Sequence, residues 1–131
     1  MLQHLKAVVR VREGNVDHWF DLRPDGSLVD LPASHGGPEL FLQRELDKAP
    51  LALFFLASLA TLIDQHGVDA MDSLLLLSGQ WVCNLWLSLD EVGLGGCPCG
   101  AGVESDLQAA LPDSYARDSL LFSFVAGARL Q

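Results

Sequence analysis

The stretch Gly93-Leu94-Gly95-Gly96-Cys97-Pro98-Cys99-Gly100 constrains this chain more than any other. Backbone with so few Cβ atoms turns sharply and lets a flat ligand approach its N–H groups closely. It follows a long apolar segment with helical spacing. Asp69 is a candidate N-cap, and the helix is expected over about residues 70–92. Met71, Leu74, Leu75, Ser78, Trp81, Val82, Leu85, Leu89 and Val92 fall on one broad face. Ser73, Gln80, Asn84, Ser88 and Glu91 fall on a narrower opposite strip. Such a helix belongs in the centre of a fold or at a subunit interface. The residues after the glycines, Val103 to Leu111, read as another helix. The local expectation is helix, glycine turn, helix, with the turn exposed.

Upstream, Leu5 to Arg12 and His18 to Leu22 read as two strands joined by a turn at Glu13-Gly14-Asn15, a hairpin. Pro24-Asp25-Gly26-Ser27 signals a second turn before a short extended piece, Leu28 to Leu31. Pro32 to Pro38 reads as loop and Glu39 to Lys48 as helix. Leu51 to Ala57 has no polar residue, which suits a strand covered on both faces, with a helix as the alternative because Leu and Ala favour it. A short helix from Ser58 ends at Gly67. Pro112-Asp113-Ser114 breaks the chain before a last strand, Ser119 to Ala126. Arg10 and Arg12 share one face of the first strand, either as an anion site or as a solvated edge. The fold class expected is α+β: an antiparallel sheet with a long buried central helix, in one domain over residues 1–131.

Half of the 131 residues are hydrophobic. A chain of this size buries roughly two-thirds of its unfolded surface, so the surplus points to a homodimer or a permanent partner. Eight Lys and Arg stand against seventeen Asp and Glu, a net charge of −9. Nucleic acid and anionic membranes are therefore not expected partners. No secretory signal is visible, and the apolar run 51–63 is shorter than the roughly 20 residues of a bilayer span. The three cysteines do not make a disulfide framework. A cytoplasmic location is expected.

Candidate chemistry is sparse. Cys97-Pro98-Cys99 with Cys83 lacks the Cys-x₂-Cys spacing of a structural zinc site, so no metal is expected. A redox Cys-x-Cys is the alternative to a plain turn. His66 reads as a helix-terminal cation, His35-Gly36-Gly37 as loop, and Trp81 and Trp86 as core or interface. Ser78-Gly79 lies mid-helix and lacks the strand-to-helix elbow of hydrolases. The residues name no catalytic group.

Taken in order, the long helix running into Glu91 to Gly100, the spacing from Gly67 to Gly79-Gln80 and Asn84-Leu85-Trp86-Leu87, and the closing strand resemble the later part of the nitroreductase superfamily. The branch it looks like is the SagB-type dehydrogenases, which oxidise azolines on peptides. The resemblance implies an α+β dimer that holds FMN at its interface, with the glycine turn against the flavin. It implies cofactor contacts at Gly95, Gly96, Cys97, Pro98, Cys99 and Gly100, with Arg129 near the phosphate. The family's Arg-x-Ser-x-Arg phosphate segment has no counterpart here. The branch's Lys-Tyr pair falls on Gln65 and His66, and its helix histidine on Gln80. Two functions follow from the resemblance. One is an FMN-linked oxidoreductase subunit in peptide natural-product tailoring, completed by a second copy or a complementary subunit. The other is a non-catalytic scaffold or peptide-recognition subunit of a biosynthetic complex. Size and acidity alone also allow a small inhibitor or immunity-type protein.

Overall fold

The computed structural model describes residues 5–14, 16–23, 25–32, 48–99, 104–115 and 117–128. The elements run β1 (Leu5–Glu13), β2 (Val16–Leu22), β3 (Leu28–Leu31), β4 (Leu51–Ala57), α1 (Leu59–His66), α2 (Ala70–Glu91), β5 (Leu94–Cys99), α3 (Glu104–Ala110), a single 3₁₀ turn (Asp113–Tyr115) and β6 (Ser119–Ala128). The strands form one sheet in the order β3-β2-β1-β4-β6-β5. Every neighbouring pair is antiparallel. This is the α+β class expected from the sequence. The expected helix over residues 39–48 lies outside the described residues except for Lys48, which is in a turn, and the loop 33–38 lies outside them too.

The two leading turns follow from their residues. Gly14 takes φ 61 and Gly26 φ 88, backbone that costs other residues a Cβ clash. Asp25 Oδ1 accepts hydrogen bonds from the Ser27 amide at 2.9 Å and the Ser27 hydroxyl at 2.6 Å, a local turn lock. β4 joins β1 on one side and β6 on the other. Its all-apolar sequence fits because both faces of the sheet are covered. Leu53 and Phe55 point to the side packed by Leu62 of α1 and Leu74, Val82 and Leu89 of α2. Ala52, Phe54 and Leu56 point to the other, with Leu107 and Ala110 of α3 and Tyr115. Phe55 stacks on Phe122 at 4.6 Å and meets the edge of Trp81 at 6.2 Å. Trp19 stacks on Phe54 at 5.9 Å.

The long helix buries one stripe: Ala70, Leu74, Ser78, Val82 and Leu89. Leu75, Leu76, Trp86 and Leu87 are exposed in the single chain. Gly67 ends α1 at φ 83, its amide bonded to the Ile63 carbonyl. Asp69 does not cap α2. It is itself helical in backbone and its side chain caps nothing, because the turn from Gly67 already takes the Ala70 and Met71 amides through the Gly67 and Val68 carbonyls.

Two local expectations are corrected. The glycine stretch is not a turn between helices. Among its described residues only Gly93, at φ 81, turns. Residues 94–99 form a strand at the sheet edge, paired to β6 from Leu94↔Ala128 to Cys99↔Ser123. The open edge of β6 offers a ladder, and Pro98 is tolerated because an edge strand spares its missing N–H. Nor is β1 a solvated edge. It lies inside the sheet, and Arg10 is fully buried.

Candidate functional site

β5 and β6 approach each other closely where both carry glycine. Gly95 pairs with Gly127, Gly96 with Ala126 and Cys97 with Val125. A Cβ on Gly96 would stand 2.6 Å from Phe124 Cε1 and 2.6 Å from the Val125 carbonyl oxygen. Its hydrogen is thus required by the chain's own packing, and Phe124 is held there by an edge contact with Trp86 at 6.0 Å. A Cβ on Gly127 would meet the Pro50 ring at 3.3 Å. Beside this narrow seam runs an open groove of about 430 Å³. It is lined by Ala49, Pro50, Gly95, Gly96, Cys97, Val125, Ala126, Gly127 and Ala128. Every lining side chain is small or apolar, and none is charged.

The groove brings together three of the residues expected at a site: Gly95, Gly96 and Cys97. Pro98 and Cys99 continue along the same strand beyond its lining. Gly100 and Arg129 lie outside the described residues. Gln65, His66 and Gln80 are exposed on the helices and line no part of the groove. The sequence reading missed Ala49, Pro50 and residues 125–128. Gly127 inside an apolar strand was the available signal, since a strand glycine marks close backbone approach.

Charged groups lie outside the groove's lining, on the sheet face that carries Val8, Phe54 and Val125. Arg10 Nη2 donates to the Ala49 carbonyl at 3.5 Å, which ties the groove's rim to β1. Arg12 holds Asp17 through Nε at 2.7 Å and Nη2 at 3.0 Å. That hydrogen bonding holds the Asp17 carboxyl below the usual carboxylate range. Lys6 Nζ meets Asp118 Oδ2 at 2.7 Å and lies 5.2 Å from the Tyr115 ring centre. Gln108 donates to the Asp118 carbonyl at 2.8 Å. Burial, then the charges of Asp21 and Asp118, push the Tyr115 phenol up to about 12. Among the described residues no cluster of three or more His, Cys, Asp and Glu could hold a metal. No helix among them is long and apolar enough to cross a membrane.

No protein-family model and no curated protein matches this sequence. Solved structures do match. A protein of Anabaena variabilis named as a nitroreductase superposes with TM-score 0.79 at 16% identity, over 99% of this chain and 28% of its own. A chain of the E. coli microcin synthetase McbBCD complex with truncated pro-MccB17 bound gives 0.79 at 12% identity, over 99% of this chain and 53% of its own. This chain has a nitroreductase-type fold. A Ralstonia eutropha protein, likewise named as a nitroreductase, gives 0.70 at 17% identity, over 97% of this chain and 59% of its own. The nitroreductase-type domain seen here spans from about a quarter to three-fifths of the length of these neighbours. Its likeness to them is one of fold.

Proposed function

We propose that this chain forms part of an FMN-linked oxidoreductase of the SagB type, acting in peptide natural-product tailoring. The observation that carries the reading is the uncharged groove over Gly95, Gly96 and Cys97 on a nitroreductase-type fold. Its walls fit the planar half of a flavin: small side chains leave room for a flat ring and exposed backbone for its edge. They do not fit the phosphate half, because a dianion takes charge-assisted donors and no lining residue is cationic. Arg129, directly after β6 in sequence, is the residue we assign to the phosphate.

When bound, the flavin supplies hydride transfer, which is the cofactor's own chemistry. The chain's residues orient and exclude. The β5–β6 seam fixes the groove floor, since Gly96 has no room for a side chain and a Cβ on Gly127 would press on the Pro50 ring at 3.3 Å. Pro50 closes one wall, and the Arg12 amide holds the Pro50 carbonyl at 2.8 Å. Apolar walls keep water from the ring. The microcin synthetase neighbour is a multi-subunit complex with a peptide bound. By analogy, a second copy or a complementary subunit covers the exposed side of α2, and the substrate is a peptide, with the complex in the cytoplasm.

The uncharged groove also favours a second reading. A relative that keeps the fold and interface without cofactor would serve as a scaffold or peptide-recognition subunit. Visible absorption separates the two: the purified protein, or the protein reconstituted with FMN, shows a flavin band that bleaches on reduction. A colourless protein after reconstitution refutes the oxidoreductase reading. Arg129→Ala is expected to weaken FMN binding by roughly 10-fold or more, the value of one charged hydrogen bond, while leaving riboflavin binding unchanged. Equal loss for both ligands, or for neither, removes Arg129 from the phosphate.

A further inference from the structure

Cys97 and Cys99 lie two residues apart on one strand, so their side chains leave the same face of the sheet. That face is shared with Val125 and Ser123, their register partners, and Cys99 packs against the cluster around Phe54. Cys97 is exposed and borders the groove. An extended strand sets the two Cα atoms about 6.6 Å apart with parallel side chains. A disulfide wants Cβ atoms about 4 Å apart, so the thiols do not bond to each other without bending the strand. Two thiolates leaning toward each other across this gap instead reach the roughly 4.6 Å spacing of a linear pair on one ion, at about 2.3 Å per metal–sulfur bond.

A second feature lies opposite Cys99. The Ser123 hydroxyl is fully buried and makes no hydrogen bond. A buried donor left unmade is costly. A thiolate at Cys99 is a stronger acceptor than a thiol and lies within reach of a turn about the serine's χ1, since facing Cβ atoms on paired strands are about 5 Å apart. The hydroxyl is thus the outer-shell donor for that sulfur.

We propose that Cys97 and Cys99 form a two-thiolate site for copper(I), opened to solvent through the groove. Soft thiolates select this ion. Zinc would want four ligands. Cys83 projects to solvent from α2, which packs on the opposite sheet face, and no larger donor cluster exists among the described residues. Binding converts two thiols and one Cu⁺ into a Cu(SR)₂ anion and releases two protons; no electron is exchanged. The net charge of −9 draws cations toward the surface. The site shares Cys97 with the groove proposed for the flavin ring, so copper is titrated into flavin-free protein and its binding there does not rest on the flavin reading.

The test is an anaerobic titration of the full chain with copper(I) held by bicinchoninate, with native mass spectrometry for stoichiometry and circular dichroism for folding. The wild type and Cys83→Ser each withdraw one equivalent. Cys97→Ser and Cys99→Ser lose affinity by roughly 100-fold or more, because one ligand of two is gone. Ser123→Ala keeps the stoichiometry and loses about 10-fold, as outer-shell partners do. Failure of the wild type to take copper, undiminished binding in Cys97→Ser, or loss on Cys83→Ser overturns the proposal. A Cys97–Cys99 disulfide in air-oxidised protein overturns its geometric premise.

Discussion

Gly96→Ala tests the seam on which the groove rests. The added methyl carbon would lie 2.6 Å from the Phe124 ring and 2.6 Å from the Val125 carbonyl oxygen, about 1 Å inside ordinary contact. The ring has little freedom to yield: Phe124 is fully buried and flanked by Trp86. The carbonyl is backbone within the sheet. Relief must come from β5 lifting off β6. Overpacking of this kind costs about 1–3 kcal/mol, and one weakened ladder hydrogen bond adds about 1 kcal/mol. We expect a loss of about 2–4 kcal/mol in urea unfolding followed by circular dichroism, with an unchanged denaturant slope. That corresponds to a fall in Tm on the order of 10 °C for a chain of this length. Phe124→Leu in the same background relieves the ring contact but not the carbonyl contact. The double variant is then less destabilised than the sum of the two singles by about 1 kcal/mol. A Gly96→Ala change below about 0.5 kcal/mol, within the range of an ordinary surface substitution, refutes the close approach and the groove floor built on it.

Gly79 lies mid-helix with nothing within 4 Å of an added Cβ. Gly79→Ala should stabilise the chain by roughly 0.5–1 kcal/mol through helix propensity; a loss in the same urea assay means that this face packs against another molecule. The single tyrosine gives a clean optical titration. Tyr115 has its folded value raised from 10 to about 12, so its neutral form is favoured by folding. The corresponding stability is complete below pH 10 and is lost as pH rises through about 12. Absorbance at the tyrosinate band, read with circular dichroism, should show that midpoint; ionisation near pH 10 in folded protein contradicts the buried placement.

Most of the fold was legible because its signals are local. Leu51 to Ala57 has no polar residue, and both faces of β4 are indeed covered. Gly67 and Gly93 punctuate the helices at positive φ. The glycine stretch misled because glycine is read as turn, whereas its structural demand is tertiary: room for Phe124. Nothing in residues 94–99 alone announces that β6, returning from twenty residues further on, will pair with them. Arg10 misled for the same reason. A charged residue suggests an edge, but β4 supplies a second neighbour to β1 and the guanidinium is covered. The candidate site was half legible: Gly95 to Cys97 came from the sequence, while the opposing wall at Ala49, Pro50 and residues 125–128 came from register.

The account turns on whether the groove receives a flavin ring. Ala128 is exposed and lines the groove, so Ala128→Trp should fill it without disturbing the core. Fluorescence titration of FMN and riboflavin against the wild type and this variant, with circular dichroism as the folding control, reads the point directly. Saturable quenching of both ligands by the wild type, with affinity lowered at least roughly 10-fold in Ala128→Trp by about 1.4 kcal/mol or more of lost contact, is the result expected. No binding by the wild type, or equal binding by the filled variant, contradicts it.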